Sequence, residues 1–269
     1  MTKPANELAV RRALAVDLAR EAGEITLRYF LRPDLHVESK ADQSPVTVAD
    51  REAESHMRRR IEAAFPDDGI VGEEHGERPG TSGFVWTLDP IDGTKSFVAG
   101  VPLYATLVGV LEGDESRIGV INAAAAGEMV YAAAGEGAWY VRGDELPREA
   151  RVSEVASLDE ALFVTTEVKS FTQHRVRDAS DIFMSLQQKA RLTRTWGDAY
   201  GYLLVITGRA DVMIDPAMNL WDAAPMPPLM AEAGGHFVDW NGRRSLRSGE
   251  GIATNARLLG EILQHTRGR

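Results

Sequence analysis

Phe84-Val85-Trp86-Thr87-Leu88-Asp89-Pro90-Ile91-Asp92-Gly93-Thr94 is the stretch on which fold and chemistry both turn. Its first five residues are apolar or β-favouring and predict a buried strand. Asp89 and Asp92 follow, three positions apart, where Pro90 and Gly93 predict a turn at the strand end. Such a turn aims both carboxylates at one point, which suits a hard divalent cation. Gly93 lets the backbone approach a ligand, and Thr94 opens a helix whose first N–H groups can cradle a phosphate. Taken alone, a segment of this kind is more often a plain Asx-type turn with solvated carboxylates.

Working outward, Leu8, Ala15, Leu18, Ala22, Ile25 and Tyr29 recur at helical spacing and predict a long amphipathic helix that ends before Pro33. A second helix is expected from about Val48 to Phe65, with Ala49, Ala53, Met57, Ile61 and Phe65 inward and Pro66-Asp67-Asp68-Gly69 as the stop. Strands are expected at Ile70-Val71, Phe84 to Leu88, Tyr104 to Leu111, Ile118 to Asn122, Met129 to Ala133 and Ala138 to Val141, with hairpin turns at Gly113 and at Gly135-Glu136-Gly137. After residue 150 the pattern alternates. Strands are expected at Ala161 to Thr166, Leu192 to Thr195, Val212 to Ile214 and His236 to Val238, and helices near His174–Lys189, Asp198–Thr207 and Ala223–Ala233. The expected organisation is residues 1–150, a helix pair with a largely antiparallel sheet, and residues 151–269, an α/β lobe coupled tightly to it.

Three further carboxylates bear on the reading. Gly72-Glu73-Glu74 follows a short strand; Trp221-Asp222 precedes a helix, where Asp222 is also a good N-cap; Asp50 completes a capping box with Thr47. Each has an ordinary structural explanation, and only their combination points to a metal site. The three prolines of Ala224-Pro225-Met226-Pro227-Pro228 are expected to delay or distort the helix after Asp222.

Composition excludes several alternatives. A net charge of −10 argues against a nucleic-acid binder that relies on a basic surface. The chain has no cysteine, hence neither disulfides nor thiolate chemistry. The six histidines form no zinc-binding pattern and read as surface or packing residues. Arg58-Arg59-Arg60 reads as a solvated helix face. Trp139, Trp196 and Trp240 are expected in the core or between lobes, with Trp196 also a candidate to line the pocket. The N-terminus lacks a signal-peptide core and no apolar run spans a membrane, so a cytoplasmic location is expected.

The chain resembles the inositol monophosphatase family. Asp89-Pro90-Ile91-Asp92-Gly93-Thr94 matches its D-P-I-D-G-T motif residue for residue, and Gly72-Glu73-Glu74, Trp221-Asp222, Glu232-Ala233-Gly234-Gly235 and the early loop from Lys40 to Asp50 match in order, from about residue 8 to residue 260. Within the family it is most similar to the histidinol-phosphate phosphatase branch, on Gly93-Thr94-Lys95-Ser96-Phe97, on the stretch from Arg194 to Tyr202, and on Gly208-Arg209-Ala210-Asp211 and Asn219-Leu220-Trp221-Asp222. The resemblance implies a layered α-β-α-β-α sandwich of mixed α+β and α/β character, and a homodimer. It also implies a phosphomonoesterase that uses two or three Mg2+ ions and metal-activated water.

By the same resemblance, Glu73, Asp89 and the Ile91 carbonyl hold the first ion, and Asp89, Asp92 and Asp222 the second, with a third near Glu73. Thr94 and Asp50 orient and help deprotonate the attacking water, with Glu73 at the same catalytic centre. Gly93 and Thr94 N–H groups hold the phosphate. Asp215, Asp198, Gly197 and Ala199 contact the organic part of the substrate. The expected substrate is a small phosphorylated metabolite, L-histidinol phosphate, converted to L-histidinol in histidine biosynthesis. Inositol 1-phosphate or broad sugar-phosphate hydrolysis is the alternative reaction. A binding partner in RNA metabolism, without direct contact to nucleic acid, is the alternative of another class.

Overall fold

The computed structural model describes residues 3–39, 45–173 and 178–267. In chain order the first elements are α1 (Lys3–Leu27), β1 (Val37–Ser39), β2 (Pro45–Thr47), α2 (Val48–Ala64), β3 (Gly69–Gly72), β4 (Gly76–Arg78), β5 (Phe84–Asp92) and α3 (Thr94–Val98). They are followed by β6 (Ala105–Glu112), β7 (Glu115–Ala123), β8 (Glu128–Ala133), β9 (Ala138–Arg142) and β10 (Arg148–Glu149). The remainder comprises β11 (Leu162–Val164), α4 (Ser170–Gln173), α5 (Ser180–Lys189), β12 (Leu192–Arg194), α6 (Ala199–Ile206), β13 (Val212–Asp215), α7 (Leu220–Ala223), α8 (Met226–Glu232), β14 (Gly235–Val238), β15 (Gly251–Asn255) and α9 (Ala256–Thr266).

Two sheets organise the molecule. One has eight strands in the order β10-β9-β8-β7-β6-β5-β3-β4, and the other has five in the order β12-β11-β13-β15-β14. In the larger sheet β3 and β5 are parallel, and the other neighbours are antiparallel. Side-chain alternation divides its strands between two cores. On β6, Val108 and Val110 pack with Leu18, Ala22 and Met57 of α1 and α2, whereas Leu107 on the other face joins Leu203 of α6 and Leu229 of α8. The five-stranded sheet repeats the device: Met213 faces α6 and α8, while Val212 and Ile214 pack with Ile182, Leu258 and Ile262 of α5 and α9. The result is helix, sheet, helix, sheet, helix: the layered α-β-α-β-α sandwich expected from the sequence.

Several elements differ from the sequence reading. β5 does not stop at Leu88 for a turn: it continues through Asp89-Pro90-Ile91 to Asp92. Proline is tolerated because the strand carries an irregularity there, which relieves Pro90 of a regular ladder position. The early loop contains the hairpin pair β1 and β2; Lys40 to Ser44 lie outside the described residues. The helix expected from His174 begins at Ser180, and residues 174–177 lie outside the described residues. The prolines split the helix after Asp222 in two. α7 ends at Ala223 and α8 begins at Met226, with Pro225 as its N-cap and prolines in its first turn. Trp240 is fully buried, but Trp196 is 39% exposed, so the core reading fails for Trp196.

Candidate active site

The strand irregularity in β5 builds the centre of the site. Asp89 pairs with Leu107 and Asp92 with Ala105, so three steps along β5 oppose two along β6. In a regular strand, residues three apart point to opposite faces; one extra residue turns both to the same face. Thr106 secures the irregular segment by donating its hydroxyl to the Pro90 carbonyl at 2.9 Å, and Ile91 N–H donates to Asp89 Oδ1 at 2.9 Å. Asp222 arrives from the other end of the sequence. Its place is N3 of α7 rather than the N-cap: Asn219 caps the helix, and Asn219 N–H donates to Asp222 Oδ2 at 2.7 Å in a capping box. Sequence alone leaves the two positions open, because Asn219 and Asp222 both carry capping side chains. Asp89, Asp92 and Asp222 offer carboxylate oxygens within 4.8 Å of one another.

Glu73 follows β3 and extends its pairing with β5 by donating its N–H to the Leu88 carbonyl at 3.1 Å. Its carboxyl hydrogen-bonds Asp89 and its charge presses on Asp50 and Asp222. The loop is held from below by a residue the sequence reading missed. Glu54 of α2 is fully buried and accepts from Glu74 N–H at 2.7 Å, His75 N–H at 3.2 Å and Arg58 Nε at 2.6 Å. The signal that could have found it is position: Glu54 adjoins Ala53 on the apolar stripe of an otherwise polar helix.

Asp50 completes the expected capping box, accepting from Thr47 N–H at 2.8 Å and Thr47 Oγ1 at 2.6 Å. The Thr94 hydroxyl donates to the Ile91 carbonyl at 3.1 Å. Asp50 and Thr94, expected to act as a pair on water, are therefore each engaged with another partner here. Gly93 has φ +88, and a Cβ there would lie 2.8 Å from Asp198 Oδ2. Both facts demand glycine where the backbone enters α3.

The far wall comes from the segment before α6. Gly197 is buried against Thr166, whose Cα would lie 2.2 Å from any Cβ on Gly197. Asp198 takes φ +42, unusual for a residue with a side chain, and its N–H donates to Thr166 Oγ1 at 3.1 Å. Ala199 N–H donates to Asp92 Oδ2 at 2.5 Å, tying this segment to the carboxylate cluster. Asp215 closes β13 and accepts from Thr166 Oγ1 and Ala217 N–H, both at 3.3 Å. Thr166, expected from the sequence only as the end of a strand, thus links the Asp198 and Asp215 positions.

Electrostatically the site is a concentration of like charge. Burial, reinforced by neighbouring carboxylates, pushes Asp89 and Asp92 well above the usual carboxylate range. The same causes push Asp222 to about 7 and Asp215 to about 8. Burial raises Asp198 to about 6, with Glu167 adding to the effect and Lys95 opposing it. Asp50 rises to about 6, through burial and then the charge of Glu73. Convergent hard oxygen donors whose charges repel one another are what a divalent cation requires, so the donor set fits magnesium.

Comparison with known proteins agrees with this geometry. The inositol monophosphatase family model matches residues 7–268. Histidinol-phosphatase of Chlorobaculum parvum is 42% identical over 250 residues, covering 93% of each chain. That of Mycobacterium tuberculosis is 36% identical over 250 residues, covering 93% of this chain and 95% of the relative. The crystal structure of the extragenic suppressor protein suhB from Bartonella henselae superposes with a TM-score of 0.86 at 26% identity, covering 97% of this chain and 99% of that one. Members of the family are metal-dependent, and the acidic cluster here can bind such an ion. The chain belongs to the inositol monophosphatase family and is a phosphoric monoester hydrolase.

Proposed function

We propose that the protein hydrolyses L-histidinol phosphate to L-histidinol and inorganic phosphate with magnesium. The convergence of Asp89, Asp92 and Asp222 carries the reaction class. The substrate is supported by the two histidinol-phosphatase relatives and by the placing of Asp198 and Asp215, joined through Thr166 on one wall, where their carboxyl oxygens can accept from the substrate's ammonium group.

Glu73, Asp89, the Ile91 carbonyl, Asp92 and Asp222 would hold two or three Mg2+ ions. Bound there, the ions supply Lewis acidity and charge neutralisation for attack on phosphorus. The chain's own groups do the rest. Gly93 and Thr94 N–H groups hold phosphate oxygens. The Thr94 hydroxyl donates to Ile91, which leaves its oxygen free to accept a hydrogen bond from the attacking water. Glu73 and Asp50 are the proton acceptors; Asp50, at about 6, is ionised and still basic enough near neutral pH. Water oxygen bonds to phosphorus as the ester oxygen departs with its electron pair and takes up a proton from solvent. Gly197 and Ala199 shape the wall that carries Asp198 against the organic part of the substrate. A cytoplasmic homodimer completes the proposal; no helix among the described residues is long and apolar enough to cross a membrane.

The test is phosphate release from L-histidinol phosphate and from myo-inositol 1-phosphate at equal concentration, with magnesium and after EDTA treatment. Preference for histidinol phosphate, abolished by EDTA, is expected. Preference for inositol phosphate would replace the substrate and keep the chemistry. No metal-dependent release from either would sink the proposal in favour of a binding role.

A further inference from the structure

Lys95 Nζ and Glu167 Oε2 form an ion pair at 3.0 Å across the mouth of the site. Lys95 lies in α3, one residue after Thr94, just beyond β5 of the eight-stranded sheet. Glu167 follows β11 of the five-stranded sheet and adjoins Thr166. Their side chains are 71% and 41% exposed, so the pair adds little to the stability of the fold and is cheap to exchange.

Its surroundings give it a role. Asp198 lies between the two walls, with Oδ2 over Gly93, and its carboxyl feels both the Lys95 and the Glu167 charge. Thr166, next to Glu167, contacts both Asp215 and the Asp198 backbone. Lys95 is thus joined to the backbone that would hold phosphate, and Glu167 to the carboxylates that would face the organic group. A phosphate dianion entering at Gly93 and Thr94 competes with Glu167 for Lys95. An ammonium entering beside Asp198 competes with Lys95 for Glu167.

We propose that Lys95 and Glu167 form an exchangeable pair that selects phosphate esters of amino alcohols: Lys95 passes its ion pair to the substrate phosphate, and the released Glu167 takes the substrate ammonium. A substrate carrying both charges replaces one ion pair by two. An ester without the ammonium strands Glu167 beside Asp198, so the pair also discriminates against neutral sugar or polyol phosphates. This inference rests on the histidinol-phosphate reading.

The experiment is steady-state kinetics of the full chain with saturating magnesium on L-histidinol phosphate and on its N-acetylated ester, which lacks the cationic amine. Glu167→Gln is expected to raise KM for the amine about tenfold, the scale of one charge-assisted hydrogen bond. The same variant is expected to lower KM for the acetylated ester about two- to threefold, because Lys95 no longer has to leave a partner. Lys95→Met is expected to raise KM for both esters, and Glu167→Asp to recover part of the preference for the amine. Opposite movement of the two substrates in Glu167→Gln is the outcome a merely structural rim pair would not produce. Movement of both KM values in the same direction, or of neither, overturns the exchange while leaving the histidinol-phosphate reading intact. Wild-type protein that hydrolyses neither ester overturns that reading and the exchange with it.

Discussion

Two buried acid centres of this molecule have opposite electrostatics. Asp68 is 1% exposed, and its carboxylate is fully met: Arg11 Nε and a second guanidinium nitrogen donate at 2.9 Å, Trp86 Nε1 at 2.9 Å and Ser82 Oγ at 2.7 Å. Arg11 in turn stacks on Phe65 and Phe84, with its guanidinium carbon 4.2 Å and 3.8 Å from the ring centroids. Burial pushes Asp68 upward, but the Arg11, Ser82 and Trp86 hydrogen bonds outweigh it and hold the carboxyl below its usual range. At the active site, burial acts alongside further carboxylates and the acids rise. Burial alone therefore sets neither the charge state nor the stability of an acid; the partner does. Asp68 finds its partner within the chain and serves the fold, whereas Asp89, Asp92 and Asp222 face one another, and the proposed function gives them a metal ion as partner.

The strongest way to break this comparison is Asp92→Asn. Activity with magnesium should fall by roughly a thousandfold or more, since electrostatic stabilisation of the transition state is the main source of rate. The metal-free variant should melt no lower than wild type, because one repelling charge has gone. A variant that melts well below wild type without metal would show that Asp92 also serves the fold.

Arg11→Met tests the opposite region. It leaves Asp68 buried without its cation, which should cost about 3–5 kcal/mol in urea unfolding. Phosphatase activity below the melting transition should survive. Loss of activity in the folded variant would mean that the Arg11 cluster and the site are coupled.

Glu54→Gln sharpens the boundary between the two regions, since Glu54 is satisfied like Asp68 but supports the loop bearing Glu73. Calorimetric magnesium binding should weaken by about tenfold or more, the usual scale for groups that orient ligands. Unchanged affinity in a folded variant would reduce Glu54 to a packing role.

The smallest expected effect is in pH dependence without metal. Asp215, Asp222, Asp198 and Asp50 have folded-state values raised to about 8, 7, 6 and 6 from ordinary values near 3.8. Between these limits the folded chain binds more protons than the unfolded one, so stability falls as pH rises. The melting temperature of EDTA-treated protein should drop from pH 5 to pH 8. Magnesium should flatten that slope. A metal-free melting temperature that climbs over this range would contradict the raised values.

Local signals are legible in the chain itself. Helical periodicity locates α1 and α2, alternation locates the strands from β5 to β9, and the spacing of Thr47 and Asp50 announces a capping box that is present. The family motifs bring every candidate ligand into view. Less is legible after Trp240, where the sequence reading names neither β15 nor α9: Gly251 to Asn255 is short, and its partners β13 and β14 lie elsewhere in the chain.

The amino-acid sequence by itself determined the element types, because period, caps and turn residues act within a few positions of the chain, while the layered fold and the set of acids for chemistry were legible through the family motifs it carries. Only the tertiary structure decided which acids meet and what faces them. The irregular register against β6 puts Asp89 and Asp92 on one face, and the packing of α7 against β5 and β6 brings Asp222 to them. The Thr166 contacts stand Asp198 over Gly93, and the reach of α2 buries Glu54 beneath the Glu73 loop. Each depends on register or layer contact between residues far apart in sequence, where a shift of one position reverses the face of every side chain.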